Sequence, residues 1–500
     1  MKTAVIIGGG LGGLFTGAIL AKEGFEVTIL EKNSTIGGGL QTFRRFGEVF
    51  DTGMHIIGGM QKGGNIRKIC QYLGILDKVE IRDVDDNCTD EIYFDEDKTT
   101  YRIAKGKDSF VESLACSFPE EKDNLVKYVN AIYSLADETD LFNLRPSKSY
   151  FNVHSDDYLM SADSFIAKYV GDRKLRSVLA YMNPLYGGRK DQTPAYIHAI
   201  INVLYINGPS RFVGGSDKFA HLLSQVITHG GGHIHVHDAV EWIEVNERNV
   251  DYVKTQSGKL YKADYYISDI HPCSLIKLLP EDAFSKAYRK RLNEIPNSYS
   301  AFGLYIKMKE CSFPYINHTV YYMNKYDDIW QCGDDKGTWP KGFLLMTPPE
   351  RNQGKYSRKV LITAPMSFEM VREWEHTYIG KRGTEYEKWK AQKAQTVLSY
   401  IDKLYPGFID CVENVNTSSP LTIRDFYGVK EGALSGYSKD YKNIVLSQVP
   451  VVTKVHNLLL TGQNNSLHGF CGVPLTAINT VEAILGRNYI INEINKCPEE

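Results

Sequence analysis

The chain has 500 residues, enough for two or three domains, and its formal net charge of −2 offers no electrostatic attraction to nucleic acid. Hydrophobic residues make up 43% and charged residues 24%, as in an ordinary soluble globular protein. No run of eighteen apolar residues occurs, so we predict no transmembrane helix and a cytoplasmic location, with reversible contact at a membrane surface left open. The 9 cysteines form no CxxC pair, which indicates a reducing compartment.

The first thirty-one residues predict a βαβ unit that binds a dinucleotide. An apolar strand leads into a GxGxxG motif, a helix follows, and the next strand ends on an acid; these residues are Gly8, Gly10, Gly13 and Glu31. Gly8 permits the tight turn, Gly10 lets a pyrophosphate approach the backbone, and Gly13 lets the helix pack on the strand. The helix N-terminus offers N–H groups to phosphate, and Glu31 offers its carboxylate to a ribose.

A second glycine-rich region follows. It contains Gly37 to Gly39 and the string Asp51-Thr-Gly-Met-His55. Glycines this dense bring backbone N–H groups close to something large and negatively charged. In an NAD enzyme this region would be the next βα unit, whereas here it predicts a second segment of contact with the cofactor.

Two kinds of sequence alternate along the chain. The pattern of the first βαβ unit returns twice, and two stretches rich in aromatic and charged residues separate its three parts. We predict an α/β fold in which a Rossmann-type cofactor domain, assembled from discontinuous segments, is interleaved with an α+β substrate domain. The predicted cofactor domain spans residues 1–75, 211–290 and 445–500, and the predicted substrate domain spans 76–210 and 291–444.

Two helices of the cofactor domain have recognisable starts in the sequence. Ser216 stands before an amphipathic stretch and is predicted to be its N-cap. Pro474 follows a glycine-bearing loop, and proline near the first helical position predicts a helix over Leu475 to Leu485.

The motifs resemble those of the FAD-dependent phytoene desaturase, carotenoid isomerase and retinol saturase superfamily, and the retinol saturase-like branch fits best. The matching strings are Val5-Ile-Ile-Gly-Gly-Gly-Leu-Gly-Gly-Leu14, Gly37-Gly38 with Thr42 and Phe43, Asp51-Thr-Gly-Met-His55, and Leu460-Thr-Gly-Gln463. The resemblance spans the chain and is weak in the two insertions. One position departs from it: the wider family usually has arginine where this chain has Gly39, and Arg44 or Arg45 could supply the missing cation.

The resemblance implies FAD, bound on a fold of the glutathione-reductase-2 type (ββα). The implied cofactor-binding residues are Gly8, Gly10, Leu11, Gly12, Gly13, Glu31, Lys32, Gly38, Gly39, Thr42, Asp51, Gly53, His55, Val240, Gly462, Gln463, Gly472 and Val473. The first motif would hold the adenosine and pyrophosphate, and the last residues would lie beside the flavin. A helix N-terminus just after Val473 would stabilise negative charge on the reduced flavin.

The implied chemistry is the addition, removal or relocation of hydrogen at carbon–carbon bonds of an apolar polyene or isoprenoid lipid. A second GxGxxG unit is missing from the sequence, so the electron donor or acceptor must be external. His55 is the candidate catalytic residue, although an ordinary packed histidine fits equally well. Saturation, desaturation and redox-neutral cis–trans isomerisation stay open.

Two other classes of protein compete with this interpretation. A flavin amine oxidase has a similar N-terminal signature, and a non-enzymatic FAD-binding sensor would show the cofactor motifs alone. A metal centre is not predicted, because the alternating His233, His235 and His237 lie along one strand and are read as a solvated face.

Overall fold

The computed structural model describes residues 1–53, 56–147, 154–334 and 336–498. Strands and helices are numbered in chain order. A five-stranded parallel sheet, in the order β19-β13-β1-β2-β9, forms the core of one half of the molecule. Its strands are β1 (Thr3–Ile7), β2 (Glu26–Leu30), β9 (His233–His235), β13 (Tyr265–Ser268) and β19 (Leu458–Leu460).

Both faces of this sheet are covered, which is why its central strands are apolar at successive positions. Ala4 and Ile6 of β1 pack with the helices on one face, and Val5 and Ile7 pack with an antiparallel sheet on the other. The helices are α1 (Leu11–Lys22), α9 (Asp217–His229) and α16 (Gly469–Leu485). The antiparallel strands are β10 (Val240–Asn246), β11 (Asn249–Thr255) and β12 (Leu260–Tyr261).

A seven-stranded sheet, in the order β18-β14-β17-β16-β15-β6-β7, forms the second half of the molecule. Its pairs are antiparallel except β15 with β6. The strands are β6 (Asp90–Phe94), β7 (Thr99–Ile103), β14 (Ser300–Met308), β15 (Thr319–Met323), β16 (Gly342–Met346), β17 (Lys359–Met366) and β18 (Val412–Ser418). One face packs on α12 (Thr384–Leu404) through alternate residues of β14, which are Phe302, Leu304 and Ile306.

The fold contains further α-helices. They are α2 (Asn65–Tyr72), α3 (Lys107–Ala115), α4 (Lys122–Asp137), α5 (Ala162–Tyr169), α6 (Arg173–Leu179), α7 (Asn183–Tyr186), α8 (Ala195–Ile206), α10 (Pro272–Leu278), α11 (Lys286–Glu294), α13 (Phe408–Cys411), α14 (Pro420–Tyr427), α15 (Ile444–Ser447) and α17 (Tyr489–Lys496). Two short antiparallel pairs complete the fold: β3 (Thr42–Arg45) with β4 (Glu48–Asp51), and β5 (Ile81–Asp83) with β8 (Ser210–Phe212).

The predicted fold class is confirmed: a Rossmann-type α/β half is joined to a mixed α+β half. The five parallel strands come from residues 3–30, 233–268 and 458–460, and the seven-stranded sheet comes from 90–103, 300–366 and 412–418. The domain boundaries themselves stay a prediction. Within the described ranges no single helix is long and apolar enough to cross a membrane, and α16 and α17 reach that composition only as a pair bent by 117°.

One of the two predicted helix starts is confirmed in position, and the other is wrong. Ser216 occupies the N-cap position of α9, but its side chain does not cap the helix; its hydroxyl and its N–H donate to Asp51 Oδ1, each at 2.7 Å. Helix α16 begins at Gly469, five residues before Pro474 and six before the predicted Leu475. Pro474 therefore lies inside the helix, where its missing N–H removes one backbone hydrogen bond.

Replacing Ser216 with alanine should lower the free energy of unfolding by about 1–2 kcal/mol, because it leaves the buried Asp51 with one donor fewer. The matched control is Ser224→Ala in the same helix, whose exposed hydroxyl bonds only to the His221 carbonyl; its effect should stay within about 0.5 kcal/mol. Denaturant titration of both variants checks this, and equal losses would contradict the role of the Ser216–Asp51 contact.

Candidate functional site

A cavity of about 510 Å³ lies between the carboxyl ends of the parallel strands and one face of the seven-stranded sheet. Most of the predicted cofactor-binding residues line it. They are Gly8, Gly10, Leu11, Gly12, Glu31, Lys32, Gly38, Gly39, Gly53, Val240, Gly462, Gln463 and Val473. The predicted catalytic residue, His55, lies outside the described residues, so its role and its cofactor contact stay predictions.

The glycines of the first motif are packed so closely that side chains would not fit. Gly8 has a φ of +104°, a left-handed conformation that favours glycine. A Cβ on Gly12 would stand 2.8 Å from the Gly462 Cα, and one on Gly38 would stand 3.2 Å from the Gly10 Cα. The two glycine-rich segments and the loop after β19 therefore meet at the N-terminus of α1.

Glu31 is held in place by the backbone. The Gly9 N–H donates to Glu31 Oε2 and the Asn33 N–H donates to Oε1, each at 2.8 Å. The carboxylate is buried at the edge of the cavity, so its remaining lone pairs can accept hydroxyl groups of a ribose.

Among the described residues that line the cavity, Lys32 is the only lysine or arginine. Its ammonium donates to the Asp425 carbonyl at 2.8 Å, and burial lowers the pKa of Lys32 although Glu31 and Asp425 oppose this. Arg44 and Arg45, the proposed substitutes for the family arginine, are absent from the wall. The described part of the cavity wall thus supplies one cation, at the position after Glu31.

Four predicted residues lie outside the cavity wall. Gly13 packs under the Gly8 carbonyl, as helix–strand packing requires, and Gly472 packs against Leu467. Thr42 and Asp51 pair across the β3–β4 hairpin, and the Asp51 carboxylate accepts a hydrogen bond from the Ser216 N–H. The geometry gives these four residues packing and bonding roles, and their direct contact with a cofactor stays a prediction.

The sequence analysis did not select Asp269, which lines the cavity directly after β13. A Cβ built on Gly10 would stand 2.7 Å from Asp269 Oδ2, so this carboxyl group lies within the glycine loop. Burial raises the pKa of Asp269 to about 7. The sequence could have indicated Asp269, because this acid follows a buried strand just as Glu31 does.

The far wall of the cavity is one face of the seven-stranded sheet and is largely apolar. Alternate residues of three strands point into it: Ala301, Gly303 and Tyr305 from β14, Leu344 and Met346 from β16, and Leu361, Thr363 and Pro365 from β17. Polar groups on this side are few and are mostly bonded to one another, as are the hydroxyls of Tyr305 and Ser418 at 3.2 Å. Burial raises the pKa of Tyr305, so its hydroxyl stays protonated at neutral pH.

Two buried histidines line the cavity and differ in their partners. His271 caps α10: its Nδ1 accepts from the Cys273 N–H at 3.2 Å, and its Nε2 lies 3.1 Å from Asn297 Oδ1. His468 precedes α16, and its buried Nε2 has no hydrogen-bond partner among the described residues. Burial lowers the pKa of each histidine to about 4, so both rings are neutral near pH 7.

These features define a class of protein. A glycine loop at the N-terminus of a Rossmann helix, an acid at the end of the next strand and an adjoining apolar chamber are those of an oxidoreductase that brings a dinucleotide-type cofactor against a second ligand.

Comparison with known proteins narrows this class. Residues 6–73 match the NAD(P)-binding Rossmann-like domain family. The chain is 26% identical to all-trans-retinol 13,14-reductase of Danio rerio, covering 97% of this chain and 86% of that protein. It is 22% identical to 4,4'-diaponeurosporene oxygenase of Staphylococcus aureus, covering 96% of both chains. Cyclohexylamine oxidase from Brevibacterium oxydans shares the fold, with a TM-score of 0.62, 13% identity and 99% of both chains covered.

The chain is similar along nearly its whole length to proteins of the phytoene desaturase, carotenoid isomerase and retinol saturase type, and the retinol reductase match supports the retinol saturase-like branch. It is an oxidoreductase. The resemblance drawn from the motifs is thereby confirmed.

Proposed function

We propose that this protein uses FAD to add or remove hydrogen at a carbon–carbon double bond of an isoprenoid or polyene lipid. The observation that carries the proposal is the continuous cavity of about 510 Å³, which joins the glycine loop to the apolar face of the seven-stranded sheet. The names of the relatives support the substrate class, since one is a retinol reductase and the other acts on a carotenoid.

The residues present fit FAD. Gly10 and Gly12 leave no room for side chains, the N-terminus of α1 can present N–H groups to a pyrophosphate, and the Glu31 carboxylate, held by the Gly9 N–H, can accept from a ribose. When bound, FAD supplies the transfer of hydride to or from a carbon centre. The external electron partner is part of the proposal, because the chain has one dinucleotide motif.

The chain's own residues provide a dry and shaped chamber for the lipid. Aliphatic side chains of β14, β16 and β17 exclude water, and small residues such as Ala301 and Gly303 leave space against the sheet. The first residues of α16, Gly469 and Phe470, also line the cavity, so the positive end of that helix faces it.

The chamber does not favour a cationic substrate. Among the described residues that line the cavity, the carboxylates are Glu31 and Asp269, and both lie at the glycine loop. A substrate ammonium group against the seven-stranded sheet would therefore be buried without a counter-ion, at a cost of several kcal/mol. This argues against the amine oxidase alternative.

The test is to purify the protein, identify the flavin extracted from one portion, and incubate the remaining holoprotein anaerobically with a panel of polyenes, once with the flavin reduced, as saturation requires, and once with it oxidised, as desaturation requires. Mass analysis distinguishes the reactions: a product two mass units heavier shows saturation, one two units lighter shows desaturation, and an unchanged mass with altered retention shows isomerisation. A protein that contains no flavin and cannot be reconstituted with it would overturn the proposal.

A pair of variants separates cofactor binding from substrate binding. Ala301→Phe fills the chamber at the sheet and should abolish lipid turnover while the protein keeps its flavin. Val445→Phe adds the same ring at a position that is 80% exposed and does not line the cavity, and it should leave turnover unchanged. Loss of turnover in both variants would argue against a lipid site at the sheet.

A further inference from the structure

The carboxyl group of Asp269 occupies the place where a phosphate would approach the glycine loop. Its Oδ2 lies 2.7 Å from the position of a Cβ on Gly10, and its Oδ1 lies against the corresponding positions on Gly12 and Gly462. The second glycine of this motif is the one that lets a pyrophosphate reach the backbone. Asp269 therefore stands on the open side of Gly10, at the N-terminus of α1.

The surroundings of Asp269 favour an uncharged carboxyl group. Burial raises the pKa of Asp269 to about 7, and the carboxylate of Glu31 adds to the effect; the N–H groups of Gly13 and Gly10 act in the opposite direction. A carboxyl group with this pKa is close to half protonated in neutral solution.

Among the described residues around Asp269, no cation counteracts this rise in its pKa. From β2 comes Glu31, an acid, and the ammonium of Lys32 is directed at the Asp425 carbonyl. From α10 comes His271, which burial keeps neutral and which is bonded to Asn297. The loop after β19 contributes Gly462 and Gln463, which carry no charge.

A pyrophosphate and an ionised Asp269 cannot share this helix N-terminus without strong repulsion, because both are anions in a site shielded from water. A protonated carboxyl group has the opposite effect, since its O–H can donate to a phosphate oxygen. We propose that Asp269 binds the pyrophosphate of FAD as a neutral carboxyl group, so that each FAD that binds brings one proton onto the protein. This inference rests on the proposed use of FAD.

If FAD binding takes up a proton, the affinity for FAD must depend on pH in a defined direction. Asp269 is already protonated in the apoprotein well below neutral pH, so FAD binding takes up no proton there. Above neutral pH the apoprotein is ionised, one proton must be taken up, and the affinity for FAD should fall about tenfold per pH unit.

The test uses the full chain stripped of its flavin and titrated with FAD in a calorimeter. Titrations between about pH 6 and about pH 8.5, in two buffers of different ionisation enthalpy, give the dissociation constant and the number of protons taken up. We expect uptake to rise from near zero to near one, with the dissociation constant rising in parallel. FAD binding at every pH without proton uptake would overturn the role of Asp269 and leave the proposed function intact, whereas no FAD binding at any pH would overturn the proposed function.

Asp269→Asn keeps the size and a hydrogen-bond donor but cannot ionise. It should abolish the proton uptake and bind FAD at least about tenfold more tightly than wild type at about pH 8. The control Asp251→Asn removes an exposed carboxylate on β11 and should keep the wild-type pH dependence. Persistent uptake in Asp269→Asn would assign the proton to another group, and if that variant fails to fold, the two-buffer titration of the wild type still decides.

Discussion

Replacing Gly12 with alanine is expected to leave the purified protein with less than about a tenth of the flavin of wild type. The new Cβ would stand 2.8 Å from the Gly462 Cα, and also against Asp269 Oδ1, so α1 and the loop after β19 would have to separate. A backbone atom cannot turn away as a flexible side chain can. The displacement would cost about 1–3 kcal/mol of folding free energy and would spoil the approach of the pyrophosphate.

Flavin absorbance per protein and thermal unfolding measure the two effects of Gly12→Ala. The matched control is Gly354→Ala, at an exposed glycine where a Cβ would meet nothing within 4 Å and where φ is not in the left-handed region. It should keep full flavin and stability within about 0.5 kcal/mol of wild type. Full flavin in Gly12→Ala would show that this contact does not shape the cofactor site.

The parallel sheet around β1 could be predicted because its signals are local. The strand, the glycine turn, α1 and Glu31 follow one another within thirty-one residues, and the structure places the strand ends within one residue of the expected positions. Glycine spacing and apolar runs determine such a unit without help from distant parts of the chain.

The chamber could not be predicted in the same way, because its wall depends on pairings far apart in sequence. Strand β6 pairs in parallel with β15, more than two hundred residues later, and β14 lies between β17 and β18. Nothing in the alternation of a single strand says which partner it takes or which face meets a cofactor.

The start of α16 was misplaced for a physical reason that affected the site. Proline is favoured in the first turn of a helix, so Pro474 suggested a start at that point. The structure continues the helix back to Gly469, and this brings His468 and Phe470 to the cavity. The sequence shows a histidine beside the glycines of this loop, but it does not show that the ring is buried with no partner for its Nε2 among the described residues.

Replacing each of the two cavity histidines with leucine is expected to have large and contrasting effects on stability and turnover. His468→Leu removes a buried Nε2 that has no partner in the described part of the chain, so it should leave the free energy of unfolding within about 1 kcal/mol of wild type, on the stabilising side. His271→Leu removes a ring bonded to the Cys273 N–H and to Asn297, and it should cost about 2–4 kcal/mol because those groups lose their partner.

His468→Leu should lower turnover although it keeps or slightly raises the stability of the protein. The neutral Nε2 of His468, which bonds to none of the described residues and lies in the cavity wall, is available to one polar atom of a bound ligand. Its loss should lower kcat/KM by about 10 to 100-fold, the worth of one buried hydrogen bond. Flavin content should stay near that of wild type, which separates this effect from loss of the cofactor. A variant destabilised as much as His271→Leu, or one with unchanged turnover, would mean that His468 only fills space. Stability gained together with activity lost is the pattern expected of a polar group kept in an apolar site for the sake of its ligand.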